Sequence, residues 1–203
     1  MRELIDQFIR NRKAFVMGHE NLFKSAVLLP LVERNGEWCV LFEERAHHLN
    51  RQPGEICFPG GRMDPDDVNP QMTAVRETCE ELGLRPTDLE ILGELDQVIN
   101  QFQMVQPFVG RIFDWERIQP DSNEVASVFF VPFDFLKHTE PDLHYVDLQM
   151  TPREDFPFEK IPNGRNYKWR KGQVPEYFYE YEGRIIWGLT ARILHHFINL
   201  VRE

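Results

Sequence analysis

Residues 54–84, GEICFPGGRMDPDDVNPQMTAVRETCEELGL, constrain this chain more than any other stretch. They open with a short strand-like run at 56–58 and turn at Pro59-Gly60-Gly61, where glycine permits positive φ and lets a ligand approach the backbone. An acidic loop follows, carrying Asp64, Asp66 and Asp67. Asn69 and Pro70 start a helix, the first as N-cap and the second with φ already set for the opening turn. Gly83 is placed to end it.

Helical geometry predicts what that helix presents. At about 100° per residue, Met72, Val75, Cys79 and Leu82 fall on one side and are expected to pack on a sheet, while Glu77, Glu80 and Glu81 fall opposite, with Arg76 one turn from Glu80. Mutual repulsion of exposed carboxylates costs only about 0.2–0.5 kcal/mol per pair, so an ordinary solvated acidic face accounts for the triplet alone. The glycine turn alters that reading. A backbone bend aimed at a helix N-terminus approaches phosphate, and hard carboxylate oxygens suit Mg²⁺ or Mn²⁺. Together they read as a site for a metal-bound diphosphate.

The pattern formed by Gly61, Asp67 and Arg76-Glu77-Thr78-Cys79-Glu80-Glu81-Leu82-Gly83-Leu84 resembles the Nudix box. Asp67 stands where most of that family has Glu, eight residues rather than seven separate it from Arg76, and Thr78 replaces an aliphatic residue. Just upstream, Arg45-Ala46, Gly54 and Phe58-Pro59-Gly60-Gly61 are similar to the additional motif of the coenzyme A pyrophosphatase branch, with Asn50 where that motif has Arg. The segment Asn123-Glu124-Val125 and the run Trp187-Gly188-Leu189-Thr190 also resemble that branch.

The resemblance implies an α+β Nudix fold, an α/β/α sandwich around a mixed β-sheet. It implies hydrolysis of a diphosphate in a coenzyme A-like nucleotide, with Glu77, Glu80 and Glu81 as metal ligands for Mg²⁺ or Mn²⁺. Arg76 would hold the carboxylates in register, and Glu124 or a box glutamate would act as base. Arg45, Arg51, Gly60, Gly61 and Arg62 would line the substrate. Two other readings stand beside coenzyme A cleavage: a broader nucleoside diphosphate-X hydrolase acting on ADP-ribose or damaged nucleotides, and a nucleotide sensor that retains the fold without turnover. Family analogy also allows a homodimer.

The chain of 203 residues reads as one such domain, 1–203, with an N-terminal helix and a C-terminal extension that ends in a helix. A net charge of −10 argues against nucleic-acid or anionic-membrane partners, so an anionic substrate must be drawn by a local device. Cys39, Cys57 and Cys79 lack ligand spacing and are odd in number, which predicts free thiols. No apolar run at the N-terminus or elsewhere approaches a membrane span, and a cytoplasmic location is the expectation.

Along the chain, charges alternate with Leu4, Ile5, Phe8 and Ile9 over residues 2–15, the pattern of an amphipathic helix. Residues 26–32 and 37–43 flank Asn35-Gly36, the signal of a β-hairpin. Runs at 89–99 and 104–112 suit strands, 132–137 a short helix, 143–150 and 177–181 further strands, and 186–201 a final helix. Residues 151–175 read as an irregular segment rich in proline and aromatics, long enough to cover a base or pantetheine arm or to make a dimer contact.

Overall fold

The computed structural model describes residues 9–10, 12, 16–18 and 21–202, and the helix expected over 2–15 lies for the most part outside them. The first hairpin pairs β1 (Phe23–Arg34) with β2 (Glu37–Arg45). Asn35 and Gly36 both take positive φ, 53° and 82°, as a two-residue turn matched to strand twist requires. The chain continues through β3 (Ile56–Cys57), β4 (Gly60–Arg62), α1 (Pro70–Leu82), β5 (Leu89–Glu94), β6 (Val98–Ile99) and β7 (Gln103–Ile112). Next come β8 (Val125–Pro132), α2 (Phe133–His138), β9 (Asp142–Gln149), β10 (Lys171–Tyr181), β11 (Arg184–Ile186) and α3 (Gly188–Arg202).

The main sheet runs β3-β2-β1-β7-β5, with β8 also on β2, β4 on β1 and β6 on β7. It is mixed: β1 and β7 are parallel, whereas β1 with β2 and β2 with β8 are antiparallel. Strand alternation then assigns the two faces. Val40 and Phe42 of β2 and Phe129 and Val131 of β8 join Leu136, Ile193, Leu194, Phe197 and Ile198 beneath α2 and α3. Leu41 of β2 and Val32 of β1 face the other way and pack with Leu82 and Leu84 at the end of α1. The result is an α+β fold, a mixed sheet between α1 on one face and α2 with α3 on the other. β9, β10 and β11 form a separate antiparallel ribbon.

Several elements differ from expectation. The buried residues of α1 are Thr73, Ala74, Thr78, Glu81 and Leu82, while Met72 is 46% exposed. Val75 and Cys79 do pack with Leu82 as expected, but the most buried positions follow the i, i+4, i+7, i+8 series from Ala74, so the packed face extends round to Glu81. Thr78 is accommodated because its hydroxyl donates to the Ala74 carbonyl at 2.7 Å. The run at 89–99 is split into β5 and β6, and β10 begins at Lys171, within the stretch expected to be irregular. The remaining irregular residues collect their aromatics: Trp169 packs edge-on against both Phe156 and Tyr167. Ile186 enters the core from β11 rather than from the final helix. No helix among the described residues is long and apolar enough to cross a membrane.

Candidate active site

Helix α1 is fixed at both ends as its sequence dictates. The Asn69 side chain accepts from the Met72 N–H at 2.9 Å, and Gly83, at φ 65°, donates its N–H to the Cys79 carbonyl. The glycine turn is pressed against β1, since a Cβ on Gly60 would stand 2.4 Å from the Ala26 carbonyl oxygen. That turn faces the helix. The Gly60 N–H donates to Glu81 Oε2 at 2.8 Å, and a Cβ on Gly61 would stand 2.4 Å from Glu77 Cδ.

Arg76 gathers the acidic groups on the outer side. It reaches Asp67 through Nη2 at 2.9 Å and Nε at 3.3 Å, Glu77 Oε1 through Nη1 at 2.8 Å, and Glu80 Oε2 through Nη1 at 3.1 Å. This guanidinium fork holds the Asp67 carboxyl well below the usual carboxylate range, with further bonds from the Asp64 N–H and the Thr73 hydroxyl. Asp, one methylene shorter than Glu, fits this closed pocket, where Asp67 is 8% exposed.

The inner side is different. Glu81 is 3% exposed and Glu43 of β2 is 1% exposed. Burial raises both carboxyls well above their ordinary range, and the charges of Glu77 and Glu124 push each further up. Burial likewise raises Glu77. Glu124 comes near because its loop is stitched to both neighbours: Asp121 N–H donates to the Glu81 carbonyl at 2.9 Å, and Ala46 N–H to the Glu124 carbonyl at 2.8 Å. Glu43, Glu77, Glu81 and Glu124 thus form one electrostatic group beside the glycine turn.

The structure therefore brings together Glu77, Glu81, Arg76, Gly60, Gly61 and Glu124. Glu80 stands at the rim, with its side chain 60% exposed, and is tied to the group by its ion pair with Arg76. Arg45, at the end of β2, lies close enough to ease the Glu43 charge, and its Nε is buried without a partner. Arg51 is exposed and offers its carbonyl to Arg45 Nη2 at 3.5 Å. The Arg62 guanidinium lies over the Phe23 ring at 4.7 Å. Glu43 is absent from the sequence expectation, although a glutamate closing the run Val40-Leu41-Phe42 is the kind of buried acid that signals a site.

These donors suit a hard divalent cation. They are carboxylate oxygens, their mutual repulsion calls for a positive charge, and Glu43 Oε2 is buried without a hydrogen-bond partner. Among the described residues no three acidic, histidine or cysteine groups already converge on one coordinating point, because Glu81 is turned to Gly60 and Glu77 to Arg76.

The chain matches the NUDIX domain over residues 22–153. It is 41% identical over 128 residues to the mouse protein named peroxisomal coenzyme A diphosphatase NUDT7, a match covering 63% of this chain and 53% of that protein. It is 33% identical over 181 residues to Nudix hydrolase 3 of Caenorhabditis elegans, covering 87% of this chain and 72% of the relative. Among solved structures, that of the C. elegans Ap4A hydrolase superposes with a TM-score of 0.45 at 18% identity, over 56% of this chain and 82% of the other.

Proposed function

From the premise that the chain belongs to the NUDIX domain family, we propose that this Nudix hydrolase cleaves the diphosphate of coenzyme A or an acyl-coenzyme A, releasing 3′,5′-ADP and the 4′-phosphopantetheine portion. The observation that carries the reading is the contact of Glu81 with Gly60 and of Glu77 with Gly61, which sets acidic ligands beside a backbone able to approach phosphate. The choice of substrate is supported by the likeness to the mouse coenzyme A diphosphatase, together with Arg45, Gly54 and the Phe58-Pro59-Gly60-Gly61 turn.

Glu77 and Glu81, with Glu80 beside them, would hold the divalent cation, Mg²⁺ or Mn²⁺. When bound, such an ion neutralises phosphate oxygens and makes water a stronger acid. Arg76 fixes Glu77 by its 2.8 Å bond, leaving the neighbouring Asp67 to anchor the guanidinium itself. Arg45 binds a phosphate oxygen through its planar fork. As water forms its bond to phosphorus and the anhydride P–O bond breaks, Glu124 accepts the water proton and the second phosphate departs. General-base removal costs about 10²–10⁴ in rate.

The decisive assay incubates the purified protein with Mg²⁺ or Mn²⁺ and coenzyme A, ADP-ribose or 8-oxo-dGTP, followed by chromatography of the products. Preferential release of 3′,5′-ADP supports the proposal. Turnover confined to another substrate replaces it with a broader nucleoside diphosphate hydrolase, and binding without turnover replaces it with a sensor.

A further inference from the structure

We propose that Glu43 is itself a ligand of the divalent cation, presented from strand β2 toward Glu81 on α1, so that the metal site is built by sheet and helix together. The inference rests on the metal-dependent reading above, and it concerns a residue outside the box.

Strand alternation puts Glu43 on the same face as Leu41, which packs with Leu82 of α1. Its register partners are Cys57 on β3 and Val128 on β8. A carboxylate that is 1% exposed in such surroundings is costly unless it is paired. What it has is meagre. Oε1 accepts from the Cys57 thiol at 3.3 Å, a weak donor, and Oε2 meets nothing. Arg45 eases its charge from nearby, but no ion pair within contact distance reaches Glu43 among the described residues.

Protonation does not resolve this. A hydroxyl on Oε2 would add a buried donor that has no acceptor, so either form leaves a polar atom unsatisfied within the protein. A cation shared with Glu81 satisfies Oε2 and removes the repulsion that Glu81, Glu77 and Glu124 exert on one another and on Glu43. Carboxylate oxygens are the ligands that Mg²⁺ and Mn²⁺ prefer. A role limited to packing predicts the opposite choice of side chain, since a neutral or apolar residue of similar volume would occupy the position at lower cost.

The test is Mn²⁺ binding to the full chain without substrate, followed by electron paramagnetic resonance of free Mn²⁺, for the unmodified protein, Glu43→Gln, Glu43→Asp and Glu81→Gln. Melting temperatures are measured in parallel in chelator. Glu43→Gln is expected to weaken Mn²⁺ at least about tenfold, the scale seen even for partners one shell further out. It is expected to melt no lower than the unmodified protein in chelator. Glu43→Asp, with its carboxylate withdrawn by one methylene, is expected to fall between the two. Unchanged Mn²⁺ affinity in both Glu43 variants, with loss in Glu81→Gln, overturns the assignment of Glu43 and leaves the hydrolase reading intact. Absence of Mn²⁺ binding by the unmodified protein overturns both.

Discussion

The Gly60 N–H and Glu81 Oε2 stand 2.8 Å apart, so the glycine turn and the end of α1 are joined through the most buried carboxylate on that helix. A glutamine at this position keeps an oxygen to accept the same N–H but carries no charge. Glu81→Gln is therefore expected to retain the fold and lose at least about 100-fold in kcat, since a direct ligand counts for no less than an outer partner. Circular dichroism with steady-state kinetics checks both halves. Near-normal turnover would remove Glu81 from the site.

The two glycines of the turn should separate stability from activity. At Gly60, φ is 149° and an added Cβ would meet backbone, Ala26 O at 2.4 Å and Val27 Cα at 2.6 Å. Gly60→Ala is expected to cost at least about 2 kcal/mol, from backbone strain and overpacking. At Gly61 the three atoms nearest an added Cβ all belong to the Glu77 carboxylate, the far end of a flexible side chain. Gly61→Ala should melt near the unmodified protein while needing more metal for half-maximal rate. Thermal melts and metal titrations of the two variants distinguish these outcomes, and equal destabilisation would refute the contrast.

Much of this arrangement was legible in the sequence because it depends on local rules. Asn35-Gly36 specified a turn, Asn69 and Gly83 specified helix ends, and the spacing of Arg76, Glu77 and Glu80 placed the three side chains within reach of one another. The burial of Glu81 is not legible in the periodicity, because a 13-residue helix with threonines on its packed face has a weak apolar stripe. Its burial is decided by β4 and the glycine turn, which come from elsewhere in the chain. Glu43 escaped for a related reason. Its partners, Cys57 and Glu81, are brought to it by strand pairing and helix docking, and neither contact leaves a periodic trace. Beyond residue 150, the change from irregular chain to strand at Lys171 depends on pairing with β9, where Lys171 lies opposite Gln149.

Arg76 should resist even a conservative change. One guanidinium serves Asp67, Glu77 and Glu80 at 2.9, 2.8 and 3.1 Å, a planar fork that a lysine ammonium cannot reproduce. In Arg76→Lys the point charge is expected to stay with buried Asp67, freeing Glu77. The expected result is a loss of about 10–100-fold in kcat/KM, with a raised metal requirement and a folded protein. Kinetics across a Mg²⁺ series provide the measurement. A pure KM effect for nucleotide with unchanged metal dependence would instead place Arg76 on the substrate.

Opposed pKa shifts predict how stability depends on pH. Asp88 is lowered from 3.8 to about 2, chiefly by hydrogen bonds from the Arg85 side chain, with the Arg85 N–H next. Its contribution is present above 3.8 and lost as pH falls through about 2. Glu43 and Glu81 are raised by burial, so their contribution is complete below the ordinary 4.5 and lost as pH rises through their elevated values. In chelator the melting temperature should therefore fall between about pH 5 and about pH 9. Divalent metal should oppose that fall, because it binds the folded state and favours the ionised carboxylates. Melts over this range with EDTA and with Mn²⁺ test the sign. A metal-free melting temperature that stays level, or that rises with pH as Mn²⁺ has no effect, would show that these two carboxylates are not held together against their own repulsion.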